Sequence, residues 1–97
     1  MNTCQVQIVE NLIIKASEML NVPATSITGK SKKEEYCIAR GLVWLACKNN
    51  LCLTFRDIAS YFGGRHHTTV LSGYKNMKDE IEVNKERRVI YKELVNG

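Results

Sequence analysis

At 97 residues, a chain that is 44% hydrophobic and 25% charged can build one hydrophobic core but not two, so wholesale disorder is excluded and a single domain over residues 1–97 is predicted. No apolar run approaches the roughly 18 residues that span a bilayer, and the first residues lack the basic, apolar and small-residue succession of a secretory signal, so a cytoplasmic chain with no membrane span is expected. The net charge of +4 is unevenly placed: residues 30–78 hold nine bases against three acids, an excess that suits a polyanionic partner, with a merely solvated basic surface as the alternative.

The elements are helical from the start. Val6, Val9, Leu12, Ile13, Ala16 and Leu20 recur at helical spacing, which predicts an amphipathic helix from residue 3 or 4 to about 21, stopped by Pro23. "PATSI" then forms a short helical turn at most, and "TGKSKK", at about 28–33, a basic loop. Ser31 followed by Glu34 has capping-box spacing and predicts a helix from there to about Asn49, with Ile38, Leu42 and Leu45 inward and Trp44 beside them. Thr54 with Asp57 repeats that spacing and predicts a short helix at 55–62 with Ile58, Ala59 and Phe62 inward. Gly63 suits the left-handed conformation that ends a helix, and Gly64 with Arg65 completes a tight turn. A further helix starts near His66 with Val70, Tyr74, Met77 and Ile81 inward, and a last one, about 84–96, packs through Val89, Ile90 and Leu94. The aromatic residues Trp44, Phe55, Tyr61, Phe62 and Tyr74 are expected in the core.

Four cysteines, Cys4, Cys37, Cys47 and Cys52, are expected as thiols in a reducing compartment. A site of Cys47, Cys52, His66 and His67 matches no common zinc spacing, and adjacent histidines on a helix point about 100° apart, so no metal and no cofactor are expected. A cysteine–histidine enzyme would need a nucleophile motif and a third, orienting residue, neither of which is recognisable, so the chain is expected not to be an enzyme.

Two short helices joined by a glycine turn, with a polar second helix in a basic region, are the ingredients of a helix-turn-helix, here about 54–80. In that motif the second helix sets its first turns against base edges in the major groove while the first crosses the backbone. His66, His67, Thr68 and Thr69 lie at the start of that second helix, with Ser72 and Lys75 further along, and Arg56 and Arg65 are placed to reach phosphates. Each also has a plainer reading: surface histidines, helix-start threonines and, for Lys30, Lys32 and Lys33, a solvated loop.

The string "IASYFGGRHHTTVLSG" resembles the C-terminal DNA-binding domain of the bacterial replication initiator DnaA, in which Gly-Gly-Arg, an acidic residue and His-Thr-Thr-Val open the recognition helix. "LNVPATSITGKSKK" is similar to that domain's short turn and basic loop, and "LVWLACKNN" to the end of its long helix, so the likeness covers roughly residues 18–78. The resemblance implies an all-α helical bundle of the Trp-repressor-like kind. It implies sequence-specific binding to double-stranded DNA, as in recognition of DnaA boxes at a replication origin, with the recognition helix in the major groove and the basic loop toward the adjacent minor groove. The oligomeric state is left open with a monomer favoured, and other replication proteins are candidate further partners. Arg65, His67, Thr68 and Thr69 match the motif's DNA-contacting positions, and Lys30, Lys32 and Lys33 match its basic loop as a class.

This chain departs from the family in three respects. His66 replaces the acidic residue, exchanging a carboxylate that accepts from a base amino group for an imidazole, so the preferred base should change. The family's Arg-Pro pair is replaced by "EEYCIAR", where Glu34 and Glu35 repel phosphate unless turned away and Arg40 lies far along the helix. The phosphate-binding loop of an ATPase is absent, so the sequence fits a domain of a larger initiator, a stand-alone transcriptional regulator or a protein-interaction module on the same fold.

Overall fold

The computed structural model describes residues 2–96. Among these residues six helices follow one another: α1 (Thr3–Leu20), α2 (Ala24–Thr28), α3 (Glu34–Leu51), α4 (Phe55–Tyr61), α5 (His67–Val83) and α6 (Lys85–Asn96). The fold is therefore all-α, and among the described residues no helix is long and apolar enough to cross a membrane.

Helix α3 is the axis of the molecule. Residues Ala39 to Cys47 are all buried, which a helix tolerates only when neighbours cover it on every side, and α3 touches each of the other five helices. Around it, Val9, Ile13 and Ala16 of α1, Ile27 of α2, Ile58 and Ala59 of α4, Val70 and Met77 of α5 and Leu94 of α6 complete one core.

Local chemistry sets the boundaries. Asn2 and Gln5 form a reciprocal capping box on α1, and Asn21 ends it in the left-handed conformation at φ 55°. Thr54 caps α4 as its spacing predicts, accepting from the Asp57 amide at 3.1 Å. The expected Ser31 cap of α3 does not form: the helix begins at Glu34 with Lys33 at the cap position and no side-chain cap. Ser31 instead accepts from the Lys33 amide and gives its carbonyl to Arg40. Helix α3 also runs two residues beyond the expected end, closed by Cys52 at φ 54°, whose turn returns the buried Leu53 to the core.

Two expected core positions lie further out. Val89 is 45% exposed, because α6 buries Leu94 and leans Ile90, Tyr91 and Val95 on the core, leaving Val89 on the outer side. Val6 is only half-buried, one turn before the first full α1 core contact at Val9. Among the aromatic residues, Trp44 and Phe62 are buried, whereas Phe55, Tyr61 and Tyr74 pack against the core from its edge.

All four cysteines are free. Burial pushes the Cys47 thiol up to about 12, whereas Cys4, Cys37 and Cys52 are exposed. Since the thiolate is the reactive form, brief treatment of the native chain with iodoacetamide near pH 8 should leave Cys47 unmodified. Mass analysis should find adducts on the three exposed cysteines; rapid modification of Cys47 without denaturant would show that the core around α3 opens readily.

Candidate nucleic-acid interface

The turn between α4 and α5 is built by its sequence. The Phe62 amide donates to the Ile58 carbonyl, and then Gly63 (φ 81°) and Gly64 (φ 73°) take two successive left-handed conformations that a side chain would strain. The chain returns through the Arg65 amide, which donates to the Ala59 carbonyl at 3.1 Å. His66, extended at φ −67° and ψ 139°, is the N-cap of α5, so the helix proper begins one residue later, at His67.

From that start α5 shows its polar side chains outward and buries Val70 and Met77. Thr68, Thr69, Ser72, Lys75 and Asn76 are exposed, and His67 is half-buried. The two histidine rings do not diverge by the expected 100°. They stack, with centroids 4.7 Å apart and planes 25° from parallel, because the cap residue lies outside the helical rotation. Among the described residues no three His, Cys, Asp or Glu side chains converge into a metal-holding group.

The basic loop, residues 29–33, runs beside this face. A groove of about 490 Å³ separates the start of α3 from α5, and Lys30, Lys32 and Arg65 line it together with Thr69, Ser72 and Asn76. A second hollow, at the helix-turn-helix itself, is lined by Arg56, Arg65, His66 and His67. The two share Arg65, so ten of the sequence-predicted residues divide simply: Lys30, Lys32, Thr69 and Ser72 in the groove, Arg56, His66 and His67 in the hollow, Arg65 between them, and Thr68 and Lys75 on the exposed face of α5. The eleventh, Lys33, is engaged with Glu35 at 3.0 Å, and that carboxylate raises its pKa by hydrogen bond and charge. The pairing also turns Glu35 toward a cation, whereas Glu34 is not turned away: it lines the groove with Lys30 and Lys32, as Glu80 does further along, and both Glu34 and Glu35 lie in the first turn of α3, where carboxylates favour the helix dipole.

Arg65 is less free than its place in the turn suggests. Its guanidinium lies over the Trp44 ring at 5.7 Å and donates through Nη2 to the Gly29 carbonyl, and its Nε is buried with no hydrogen-bond partner among the described residues. Burial lowers its pKa, and Arg40 nearby lowers it further. The side chain thus ties the helix-turn-helix to the basic loop.

Arg40 makes a second tie, which sequence reasoning missed. It is 5% exposed. Its Nε donates to the Ile27 carbonyl at 2.8 Å, Nη2 to Ser26 at 2.9 Å and Nη1 to Ser31 at 3.1 Å. One buried guanidinium therefore satisfies carbonyls on both sides of the loop, a task suited to its planar fork of donors. The available signal was a lone charged residue within the apolar run from Ala39 to Cys47.

Compared with known proteins, residues 9–77 match the family described as bacterial dnaA protein helix-turn-helix. The chain is similar to the chromosomal replication initiator protein DnaA of Spiroplasma citri, 32% identical over 81 residues that cover 84% of this chain and 17% of that protein. It is similar to the DnaA of Leifsonia xyli subsp. xyli, 32% identical over 84 residues (87% and 17%), and to that of Wolinella succinogenes, 29% identical over 87 residues (90% and 20%). It spans less than a quarter of the length of these curated relatives. With the match covering most of its length and centred on the helix-turn-helix, the chain belongs to the bacterial DnaA helix-turn-helix family.

Proposed function

We propose that this chain binds double-stranded DNA sequence-specifically, at DnaA-box-like sites of a replication origin, with the first turns of α5 in the major groove and the basic loop against the backbone beside the adjacent minor groove. The observation that carries the reading is the shared groove, in which Lys30, Lys32 and Arg65 flank the polar face made by Thr69 and Ser72. Cations beside short hydrogen-bonding side chains suit the division of labour on DNA: charge holds the phosphates, and hydroxyl groups with their methyls read base edges. Arg56, at the hollow beside the turn, supplies a further cation for phosphate contacts. The family membership supports the same reading, since the relatives are named as chromosomal replication initiators. The proposed role is recognition rather than catalysis, exercised on the chromosome in the cytoplasm by a monomer, with other replication proteins assembling around it.

Site selection from a randomised duplex pool, followed by titration of the selected site against scrambled DNA, tests this directly. Thr68→Ala and Thr69→Ala should each cost on the order of 1 kcal/mol or more on the selected site and less on scrambled DNA. Lys32→Ala should weaken all sequences alike and reduce the slope of log affinity against log salt by about 0.9. Lys33→Ala should do less, because Glu35 already occupies that ammonium. Equal losses on both DNAs for the threonine variants would remove α5 from base reading.

A further inference from the structure

His66 carries a consequence for sequence preference, resting on the DNA-binding reading above. Its Nδ1 accepts from the Thr68 amide at 3.3 Å and lies 2.7 Å from the Thr68 hydroxyl oxygen. An amide N–H donates only to a ring nitrogen with a free lone pair. With the amide as donor, Nδ1 is the unprotonated nitrogen, the Thr68 hydroxyl turns its hydrogen toward the same atom, and the ring proton is on Nε2. The two ring nitrogens face away from each other, so with Nδ1 turned back onto α5, the Nε2–H points away from the helix end. The residue is exposed, and the stacked His67 ring restrains its plane.

We infer that His66 is a specificity-determining hydrogen-bond donor, locked by its capping role into the Nε2–H form, and that it selects a base with an acceptor on its major-groove edge. Guanine, with N7 and O6, thymine, with O4, and adenine, with N7, satisfy it; cytosine, which offers only its N4 amino group, does not. A carboxylate at the same place makes the opposite choice, because it only accepts. The cap and the base preference are then one property: the hydrogen bond that starts the recognition helix also fixes which atom of the ring faces the DNA.

His66→Asp is the informative change, since aspartate is itself a good N-cap and leaves the start of α5 intact. Both chains are put through selection from a randomised duplex pool, and each selected site is then varied one base pair at a time. The expected result is a single base pair at which the wild type prefers guanine or thymine over cytosine by about tenfold and His66→Asp reverses the order, the rest of the site being common to both. A long-range ¹H–¹⁵N spectrum of the free wild-type chain at pH 8 should show the His66 proton on Nε2. The same selected site for both chains, or a proton on Nδ1, overturns the inference and leaves sequence-specific binding standing. Selection of no motif by either chain overturns both.

Discussion

Replacing Arg40 by methionine should lower the stability of the chain by about 3 kcal/mol, the value expected for several charged hydrogen bonds lost together with partial relaxation. Methionine keeps most of the aliphatic bulk inside α3, so the loss reports on the carbonyls of Ser26, Ile27 and Ser31 rather than on a cavity. The Ile27 bond lies in the buried interior, where an orphaned acceptor costs most, while those to Ser26 and Ser31 lie nearer the surface and can regain water. Denaturant unfolding measures the cost. Arg40→Lys should recover only part of it, because a single ammonium cannot span three carbonyls at 2.8 to 3.1 Å as a fork does. On the DNA-binding reading, the folded fraction of Arg40→Met should also bind every duplex more weakly, since Lys30 and Lys32 are carried by the released loop. A stability loss below about 1 kcal/mol would mean that the loop holds its shape without the guanidinium.

That loop marks the limit of what the sequence makes legible. The helices and their inward stripes follow from periodicity, and the turn at Gly63 and Gly64 follows from the conformations that only glycine takes without strain. The polar start of α5 is readable in the same way, because Val70 and Met77 leave Thr68, Thr69 and Ser72 no place but outside. The Ser31 cap failed because a local spacing rule competes with a contact nine residues away: Arg40 takes the Ser31 carbonyl, and the helix opens at Glu34 instead. Arg65 was legible as a cation in the turn, but its commitment to Gly29 and Trp44 depends on the fold bringing positions 29, 44 and 65 together. Likewise, the stacking of His66 on His67 follows from which of the two is the cap and which the first helical residue, a boundary that patterns place only to within a residue or two.

Gly73→Ala should destabilise the chain by about 1–3 kcal/mol even though alanine is the better helix former, because overpacking outweighs a propensity gain of about 1 kcal/mol. A Cβ at this position would lie 2.5 Å from Trp44 Cζ3 and 2.6 Å from Cε3. The indole does not yield as a flexible chain would: it is buried, its ring meets Phe62 edge-on at 5.7 Å, and the Arg65 guanidinium lies over it. Gly41, on the α3 side of the same crossing, is the control. A Cβ there meets the terminal methyl of Met77 at 3.0 Å, which a flexible thioether can move, so Gly41→Ala should be close to neutral. If the Trp44 contact is the cause, Trp44→Phe should absorb part of the cost of Gly73→Ala, giving a double-mutant coupling of about 1 kcal/mol measured by denaturant unfolding. Strict additivity would place the strain elsewhere in α5. Because Arg65 rests on the same ring, any displacement of Trp44 also shifts the residue that joins the turn to the basic loop. On the DNA-binding reading, close packing of α5 on α3 at Gly73 is thus a condition for the candidate interface as well as for the core, and among chains still folded Gly73→Ala should weaken DNA binding by more than Gly41→Ala does.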